Sequence, residues 1–299
     1  MSSSVVRLIL SLLLLTACSL SAVFSSSSPS NHLRFPGEHE EVQSIWMAYP
    51  NYDFKHGCRI IETQAQMMNT MFRYNPDESL FFVDYLVHNS SVLHVAKHRL
   101  STEFGVKVSR IRFHTVPYMN IWLRDMGPIF IKDDERQQLK IVDFGFNVWS
   151  YMRATDEESL IEEAVDRIIA QELNLPLLRS SLISEGGDRE FNGKGTLFLS
   201  KVVELQRNRD QGFTDLEQIE NEMKRVLNVK HIVWFDAGLP DDELSYYGKL
   251  PGTNLYTALA TGGHLDEFIR FVDERTVLLT EVSEDEKDSD PLARITYDN

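Results

Sequence analysis

Two side chains that could transfer a proton lie two residues apart late in the sequence. His264 and Asp266 follow a pair of glycines in the segment Thr261–Phe268 (TGGHLDEF). In an extended segment these positions point to the same side, so one face would carry an imidazole beside a carboxylate. Such a pair can act as general acid and base. The alternatives are a hydrogen-bonded core pair, or two ligands for a divalent cation.

A charged pair interrupts an apolar and aromatic stretch earlier in the chain. Arg124 and Asp125 lie within Trp122–Pro128 (WLRDMGP), directly before a predicted strand. This pair is either a self-satisfied surface turn, since exposed ion pairs are common and contribute little, or part of a polar site.

A third polar segment, Glu185-Gly186-Gly187-Asp188, precedes the predicted strand at 195–200. Paired glycines permit positive φ angles or a close approach of the backbone to a ligand. Because such a sequence is also a frequent loop, it is a weak signal when taken alone.

The elements that must position these segments alternate along the chain between strand-like and helix-like patterns. A turn at Asp273-Glu274-Arg275 predicts a hairpin, so the sheets should be mixed and the fold class α/β. No stretch reads as a linker between two folded domains. The predicted strands, rich in β-branched and aromatic residues, are 44–49, 80–87, 129–131, 141–144, 195–200, 231–235, 268–272 and 276–280. The predicted helices are 60–74, 157–172 and 215–227.

Composition excludes several classes of function. The chain of 299 residues is 42% apolar and 25% charged, which is typical of a globular protein. Its formal charge of -15 argues against a nucleic-acid scaffold and is compatible with small cationic substrates. Two cysteines, Cys18 and Cys58, cannot build a disulfide framework and lie in no zinc-binding pattern.

The first residues predict an export signal. Residues 8–17 (LILSLLLLTA) are apolar but too short to span a bilayer, and small residues follow near Ala22. We therefore expect a signal peptide at 1–22, a flexible linker at 23–33, a folded domain at 34–299, and a secreted or extracytoplasmic protein. A lipoprotein anchored through Cys18 is the minor alternative.

The three polar segments, taken in order, resemble motifs of a known family. Together with their flanks they are similar to the agmatine deiminases and the Porphyromonas-type peptidyl-arginine deiminases of the guanidine-modifying superfamily. This resemblance covers nearly the whole chain after the leader and implies a five-bladed α/β propeller of ββαβ repeats, the pentein fold. The chain would hold about four of those blades. The matching segments are 34–38, 44–50, 122–128, 185–188, 229–235, 263–268, 277–279 and 290–291.

The resemblance also implies roles for the polar residues. Asp125 and Asp266 would hold the planar guanidinium, since carboxylates accept its paired N–H groups. His264 would protonate the departing nitrogen and later take a proton from water, with Glu185 orienting the imidazole. In the family a cysteine thiolate attacks the guanidinium carbon, ammonia leaves, and water hydrolyses the covalent intermediate. No metal or other cofactor is implied.

Three further residues are assigned to the substrate region with less definite roles. Arg124 would fix the local turn or a carboxylate. Trp122 would either cover the aliphatic stem of the substrate or, as we favour, fill the core. Gly186 would admit the substrate close to the backbone.

The chain departs from the family in one respect. The family nucleophile lies downstream of the His-x-Asp segment, whereas this chain ends at Asn299, and Cys58 is not at a catalytic position of the family. Three hypotheses follow: part of a longer deiminase acting on agmatine or peptidyl-arginine, a guanidinium-binding module without turnover, and a metal-dependent hydrolase using His264, Asp266 and Glu185. The oligomeric state is left open.

Overall fold

Strands and helices alternate through the part of the chain that the structure covers. This computed structural model describes residues 33–50, 59–244, 248–249, 254, 260–289 and 291–298. The strands in these residues are β1 Leu33–Arg34, β2 Ser44–Ala48, β3 Phe82–Val87, β4 Ile111–Thr115, β5 Ile129–Asp133, β6 Gln138–Gly145, β7 Leu177–Ile183, β8 Glu190–Phe191, β9 Thr196–Ser200, β10 His231–Phe235, β11 Ile269–Phe271 and β12 Val277–Leu279.

Most of the described helices connect two strands that belong to the same sheet. The α-helices are α1 Ile60–Tyr74, α2 Ser90–His98, α3 Leu123–Met126, α4 Glu157–Glu163, α5 Val165–Glu172, α6 Lys201–Asn208, α7 Leu216–Leu227, α8 Pro240–Glu243 and α9 Pro291–Asp298. A π-helical turn follows α2 at Arg99–Glu103, and short 3-10 turns lie at Val108–Arg110, Gly186–Asp188, Arg209–Gln211 and Leu265–Glu267.

The first sheet is parallel and has the strand order β2-β3-β4. Its middle strand, β3, is almost entirely buried, as a strand covered on both faces should be. Helix α1 connects β2 to β3 and buries Ile61, Ala65, Met68 and Phe72 against the sheet at helical spacing. This apolar face explains why the pattern at 60–74 predicts the helix correctly.

The second and third sheets each show the predicted ββαβ unit. In the second sheet, β5 and β6 form an antiparallel pair, and helices α4 and α5 return the chain to β7, which is parallel to β6. In the third, β8 and β9 are antiparallel, and α6 and α7 lead to β10, parallel to β9. Strand β1 pairs with β5 at the edge of the second sheet.

The fourth sheet is the hairpin β11–β12, whose predicted turn is confirmed. The carboxylate of Asp273 accepts hydrogen bonds from the backbone N–H groups of Arg275 and Thr276, at 2.7 and 2.8 Å, which closes the turn. The described residues therefore form four separate sheets, in agreement with the prediction of about four blades.

Several elements differ from the sequence-based prediction. The expected helix at 157–172 is interrupted at Ala164, which divides it into α4 and α5. Strands β4 and β7 and helices α2 and α6 were not predicted. Helix α7 begins one residue later than expected because Asp215 is its N-cap and accepts a hydrogen bond from the backbone N–H of Gln218.

The export prediction falls on a part of the chain outside the described residues. Residues 1–22, Cys18 and all of the linker except Leu33 lie there, and so does Cys58. Among the helices that the structure does describe, none combines the length and apolar character needed to cross a bilayer.

Candidate active site

The three polar segments meet although they are far apart in the sequence. Asp125 lies in α3 just before β5, Glu185 follows β7, and His264 lies shortly before β11. The backbone N–H of Gly187 donates to Oδ1 of Asp125 at 2.9 Å. Nε2 of His264 lies 3.3 Å from Oε2 of Glu185, and its Nδ1 lies 3.8 Å from Oδ1 of Asp125. We call His264, Glu185 and Asp125 the central cluster.

The His264 imidazole is buried between two carboxylates, and only 2% of it is exposed. Burial disfavours the charged ring, but the hydrogen bond with Glu185 and the charge of Asp125 outweigh this effect. The pKa of His264 is therefore raised above its ordinary 6.5. A raised pKa favours the protonated imidazole, which is the form that can donate a proton to a leaving group.

The two carboxylates of the central cluster differ in their environment. Burial raises the pKa of Asp125, because the ionised carboxylate loses its hydration, although the nearby imidazole opposes the shift. For Glu185 burial acts in the same direction, but Arg207 and His264 reverse it, and the pKa falls to about 2. The Glu185 carboxylate therefore stays ionised beside the imidazole at neutral pH.

Asp266 does not lie beside His264 in the way predicted. The segment is not extended: Leu265–Glu267 is a 3-10 turn that His264 precedes, so the alternation of a strand does not apply. Oδ2 of Asp266 lies 2.9 Å from Nε of Arg124, and the side chain is 23% exposed. Asp266 thus faces the margin of the central cluster, where the charge of Asp266 still acts on His264.

The interpretation of Arg124 and Asp125 as a self-paired surface turn was wrong. In helix α3 consecutive side chains diverge, and Asp125 turns inward to the central cluster. Arg124 turns to other carboxylates: its Nη1 lies 2.6 Å from Oε1 of Glu38, and its Nη2 lies 3.0 Å from Oε1 of Glu190. Arg124 therefore fixes carboxylates, one of the two roles left open for it.

The expectation that Trp122 fills the core was also wrong, since half of its surface is exposed. The role expected for Gly186 changes too, because a Cβ atom there would lie 1.8 Å from the carbonyl oxygen of Arg124. A Cβ on Gly187 would lie 2.2 Å from Nδ1 of His264 and 3.0 Å from Oδ1 of Asp125. Gly187 is thus the glycine that makes room at the central cluster.

Trp149 is a residue of the site that the sequence did not reveal. Its buried indole N–H donates to Oδ2 of Asp125 at 3.3 Å. Val148, Trp149 and Ser150 all have positive φ angles of 53 to 66°, which costs about 1–2 kcal/mol for a residue with a side chain. The side chain of Asn147 stabilises this turn by accepting from the backbone N–H of Ser150 at 2.9 Å.

Asp242 is a second residue that the sequence did not reveal. Its buried carboxylate accepts from the backbone N–H groups of Thr261 and Gly263, each at 2.6 Å, and from that of His264 at 3.2 Å. It also accepts from the hydroxyl of Thr261 at 2.5 Å. Because Asp242 lies in an acidic run that resembles a solvated helix surface, nothing in the sequence marks it as the support of the His264 loop.

The described side chains give no support to the metal-dependent alternative. Glu185 pairs with His264 and Arg207, and Asp266 pairs with Arg124. Among the described residues no group of three or more histidine, cysteine and acidic side chains is arranged to hold a metal ion.

Comparison with solved structures identifies the fold class. The structure matches that of the agmatine deiminase of Enterococcus faecalis with a TM-score of 0.68 at 20% identity, over 92% of this chain and 68% of that one. It matches a C. jejuni agmatine deiminase solved with substrate bound with a TM-score of 0.63 at 20% identity, over 85% of this chain and 66% of that one. The fold is therefore the α/β propeller of the pentein type.

Comparison of sequences identifies the family. Residues 34–296 match the Porphyromonas-type peptidyl-arginine deiminase family, and the chain belongs to it. A relative named agmatine deiminase, from Pseudomonas aeruginosa, is 25% identical over 264 residues, which cover 85% of this chain and 62% of the relative. A Mycoplasma mycoides relative is 22% identical over 287 residues, covering 93% of this chain and 69% of the relative. The chain thus spans about two thirds of the length of these relatives.

Proposed function

We propose that the described fold binds the guanidinium group of agmatine or of a peptidyl arginine and supplies the acid–base chemistry of its hydrolytic deimination. The observation that carries this proposal is the buried His264 between Glu185 and Asp125, three residues from distant segments. The family to which the chain belongs and the relatives named agmatine deiminase support the same chemistry.

In this proposal the carboxylates of Asp125 and Asp266 accept N–H groups of the guanidinium. A flat, permanently charged cation needs acceptors in its plane, and the charges of both carboxylates already act on the His264 imidazole. Burial of Asp125 strengthens its attraction for a cation, because water competes less for the carboxylate. Its raised pKa would return toward the ordinary value once the guanidinium is bound.

His264 then acts on the protons of the reaction. Attack of a thiolate on the guanidinium carbon breaks a C–N bond, and His264 donates the proton with which the nitrogen leaves as ammonia. The neutral imidazole next takes a proton from water, which attacks the same carbon and releases the thiolate. Glu185 keeps the imidazole oriented in both steps. The thiolate is not provided by any described residue, so binding and turnover need separate measurements.

Calorimetry on the 299-residue chain tests binding. We expect agmatine to bind and putrescine, which has the same aliphatic stem without the guanidinium, to bind at least about tenfold more weakly, in keeping with the loss of charge-assisted bidentate hydrogen bonds. A peptide with one blocked arginine distinguishes the second substrate class. The substitution Asp125→Asn should weaken the binding of the guanidine ligands but not the binding of putrescine. Equal binding of all three ligands would contradict the proposal.

An ammonia-release assay with the same ligands tests turnover. Release of ammonia would show a complete deiminase. Binding of agmatine without release would identify the chain as a guanidinium-binding module.

We also propose that the protein is exported through residues 1–22. The support is the apolar run at 8–17 followed by small residues. Expression in the native host followed by N-terminal sequencing of the mature protein tests this proposal. A mature protein that begins at Met1 would contradict it, and a lipid on Cys18 would favour the lipoprotein alternative.

A further inference from the structure

A buried arginine, Arg207, contacts the central cluster through Glu185 and has no role in the chemistry proposed above. Arg207 is the penultimate residue of α6, and its side chain is fully buried, as is that of Glu185. A guanidinium without water around it is costly unless anions and acceptors surround it. The contacts of Arg207 therefore indicate what it does.

The first contact of Arg207 is with Glu185. Its Nε donates to Oε1 of Glu185 at 2.8 Å, while Oε2 of the same carboxylate faces Nε2 of His264 at 3.3 Å. The two oxygens of Glu185 are thus divided between the arginine and the imidazole. A rotation of the carboxylate away from His264 would break the hydrogen bond with Arg207, so the arginine fixes the direction in which Glu185 points.

The second contact of Arg207 is with the loop that carries His264. Its Nη2 donates to the carbonyl oxygen of Thr261, three residues before His264, and its Nη1 donates to Oε1 of Gln206 at 2.6 Å. One planar group therefore holds both the carboxylate and the loop whose meeting forms the central cluster. A lysine could replace the charge but not this two-directional geometry.

Charge balance gives Arg207 a further effect. Glu185 is surrounded by other buried acids, which would drive it to take up a proton if no cation opposed them. The ionisable groups that act on or with Glu185 are Arg207, His264, Asp125, Asp188, Arg189 and Glu204.

We propose that Arg207 is the positioning residue of the site, which keeps Glu185 ionised and directed at His264 so that the imidazole holds its proton toward the substrate. This inference rests on the proposed function, because the substrate in question is the guanidine compound proposed there. The arrangement of the three side chains can be tested without turnover.

The experiment compares Arg207→Met with the unmodified chain by carbon NMR of the Glu185 carboxyl, assigned through Glu185→Gln. In the unmodified chain we expect Glu185 to stay ionised from pH 7 to pH 4, below its ordinary pKa of about 4.3. In Arg207→Met it should take up a proton within that range. Arg207→Lys should restore the ionised carboxylate, which a purely structural role for the arginine would not require.

Agmatine binding provides the second readout. The dissociation constant should rise at least about tenfold in Arg207→Met, as is typical when the partner of a functional group is removed, and less in Arg207→Lys. The control is Arg110→Met, because Arg110 is also buried and donates to backbone carbonyl groups, those of Phe72 in α1 and of Phe81 just before β3. Arg110→Met should change neither readout.

Several results would overturn the inference. One is a Glu185 that remains ionised at pH 4 in Arg207→Met, and another is an equal response to Arg110→Met. If Arg207→Met does not fold, the test is the titration of the Glu185 carboxyl in the unmodified chain. A Glu185 that titrates at its ordinary pKa would refute the positioning role of Arg207. If no form binds agmatine or the blocked arginyl peptide while Glu185 responds as expected, the proposed function fails and the positioning role stands.

Discussion

Gly187 shows how closely the central cluster is packed at the scale of single residues. We predict that Gly187→Ala weakens agmatine binding at least about tenfold, because the new methyl group would overlap Nδ1 of His264 and approach Oδ1 of Asp125. Calorimetry measures the effect. Gly105→Ala is the control for a methyl group added in open space, since nothing lies within 4 Å of its Cβ position. Unchanged binding in Gly187→Ala would refute the close packing.

A second buried histidine predicts a pH dependence of stability. Nε2 of His114 lies 2.8 Å from Oδ1 of Asp84, and Nδ1 lies 2.9 Å from Oε1 of Glu172. Burial lowers the pKa of His114, but these two hydrogen bonds outweigh it and raise the pKa above 6.5. Both carboxylates can be bound only by the protonated ring.

The sign of this effect follows from linkage. A group whose pKa is raised in the folded state stabilises the fold fully at pH values below its unfolded-state pKa. This stabilisation is lost as the pH rises through the folded-state pKa. We predict that His114→Gln lowers the free energy of unfolding by about 2 kcal/mol at pH 6, as is typical of hydrogen bonds to charged groups, and by less at pH 9. Urea unfolding at both pH values measures the difference. A deficit that grows toward pH 9 would contradict the prediction.

At the scale of elements, the loop before His264 depends on a neighbouring helix. Asp242 of α8 accepts three of its backbone N–H groups, so we predict that Asp242→Asn loosens the loop, because an amide offers fewer acceptors than a carboxylate. Hydrogen exchange at Gly263 and His264 should accelerate at least about tenfold, which corresponds to about 1.4 kcal/mol of local opening. Asp236→Asn is the control, because Asp236 is 85% exposed. Equal exchange in the two variants would rule out this support.

The same scale shows what could be predicted from sequence. Helix α1 was predicted because its apolar residues recur at the helical period, and strand β3 because it is a nearly continuous run of β-branched and aromatic residues. Strands β4 and β7 escaped notice because polar residues dilute the pattern: Arg112 and Thr115 are exposed in β4, and β7 contains a pair of serines. A pattern-based prediction fails where the polar residues of a strand do not alternate regularly with apolar ones and resemble a turn.

The site was predictable to a similar extent. Three short motifs pointed to Asp125, Glu185 and His264, because their order and flanks together resemble those of a known family. Their supports did not stand out, because Arg207 and Asp242 act from other helices and their sequence neighbourhoods resemble ordinary surface. The direction of Asp266 depended on a 3-10 turn that the residue types alone do not specify.

At the scale of the whole molecule, one acidic residue joins the segment that follows β1 to the hairpin β11–β12. Glu38 pairs with Arg124 and also with Arg270, 232 positions away in β11. We predict that Glu38→Gln changes the free energy of unfolding by less than about 1 kcal/mol, because the side chain is about half exposed.

The local effect of Glu38→Gln should be larger than the global one. Hydrogen exchange at Gly37 and Glu40 should accelerate, since the N-terminal segment loses its hold on β11. Glu78→Gln is the control, because it removes another exposed ion pair, with Lys107, at a distance from this contact. Exchange that stays unchanged at Gly37 and Glu40 would show that the ion pairs do not hold the segment.

The hydrogen bond from the Trp149 indole to Asp125 has a practical consequence. An indole whose N–H touches a carboxylate emits light with an intensity and a wavelength that depend on the charge of that carboxylate and on what else occupies it. Since Trp149 is buried and Trp122 is half exposed, a polar quencher added to the solvent would suppress mainly the latter. The Trp149 indole is thus a natural reporter beside Asp125, and fluorescence can test binding of the proposed guanidine ligands without attaching a dye.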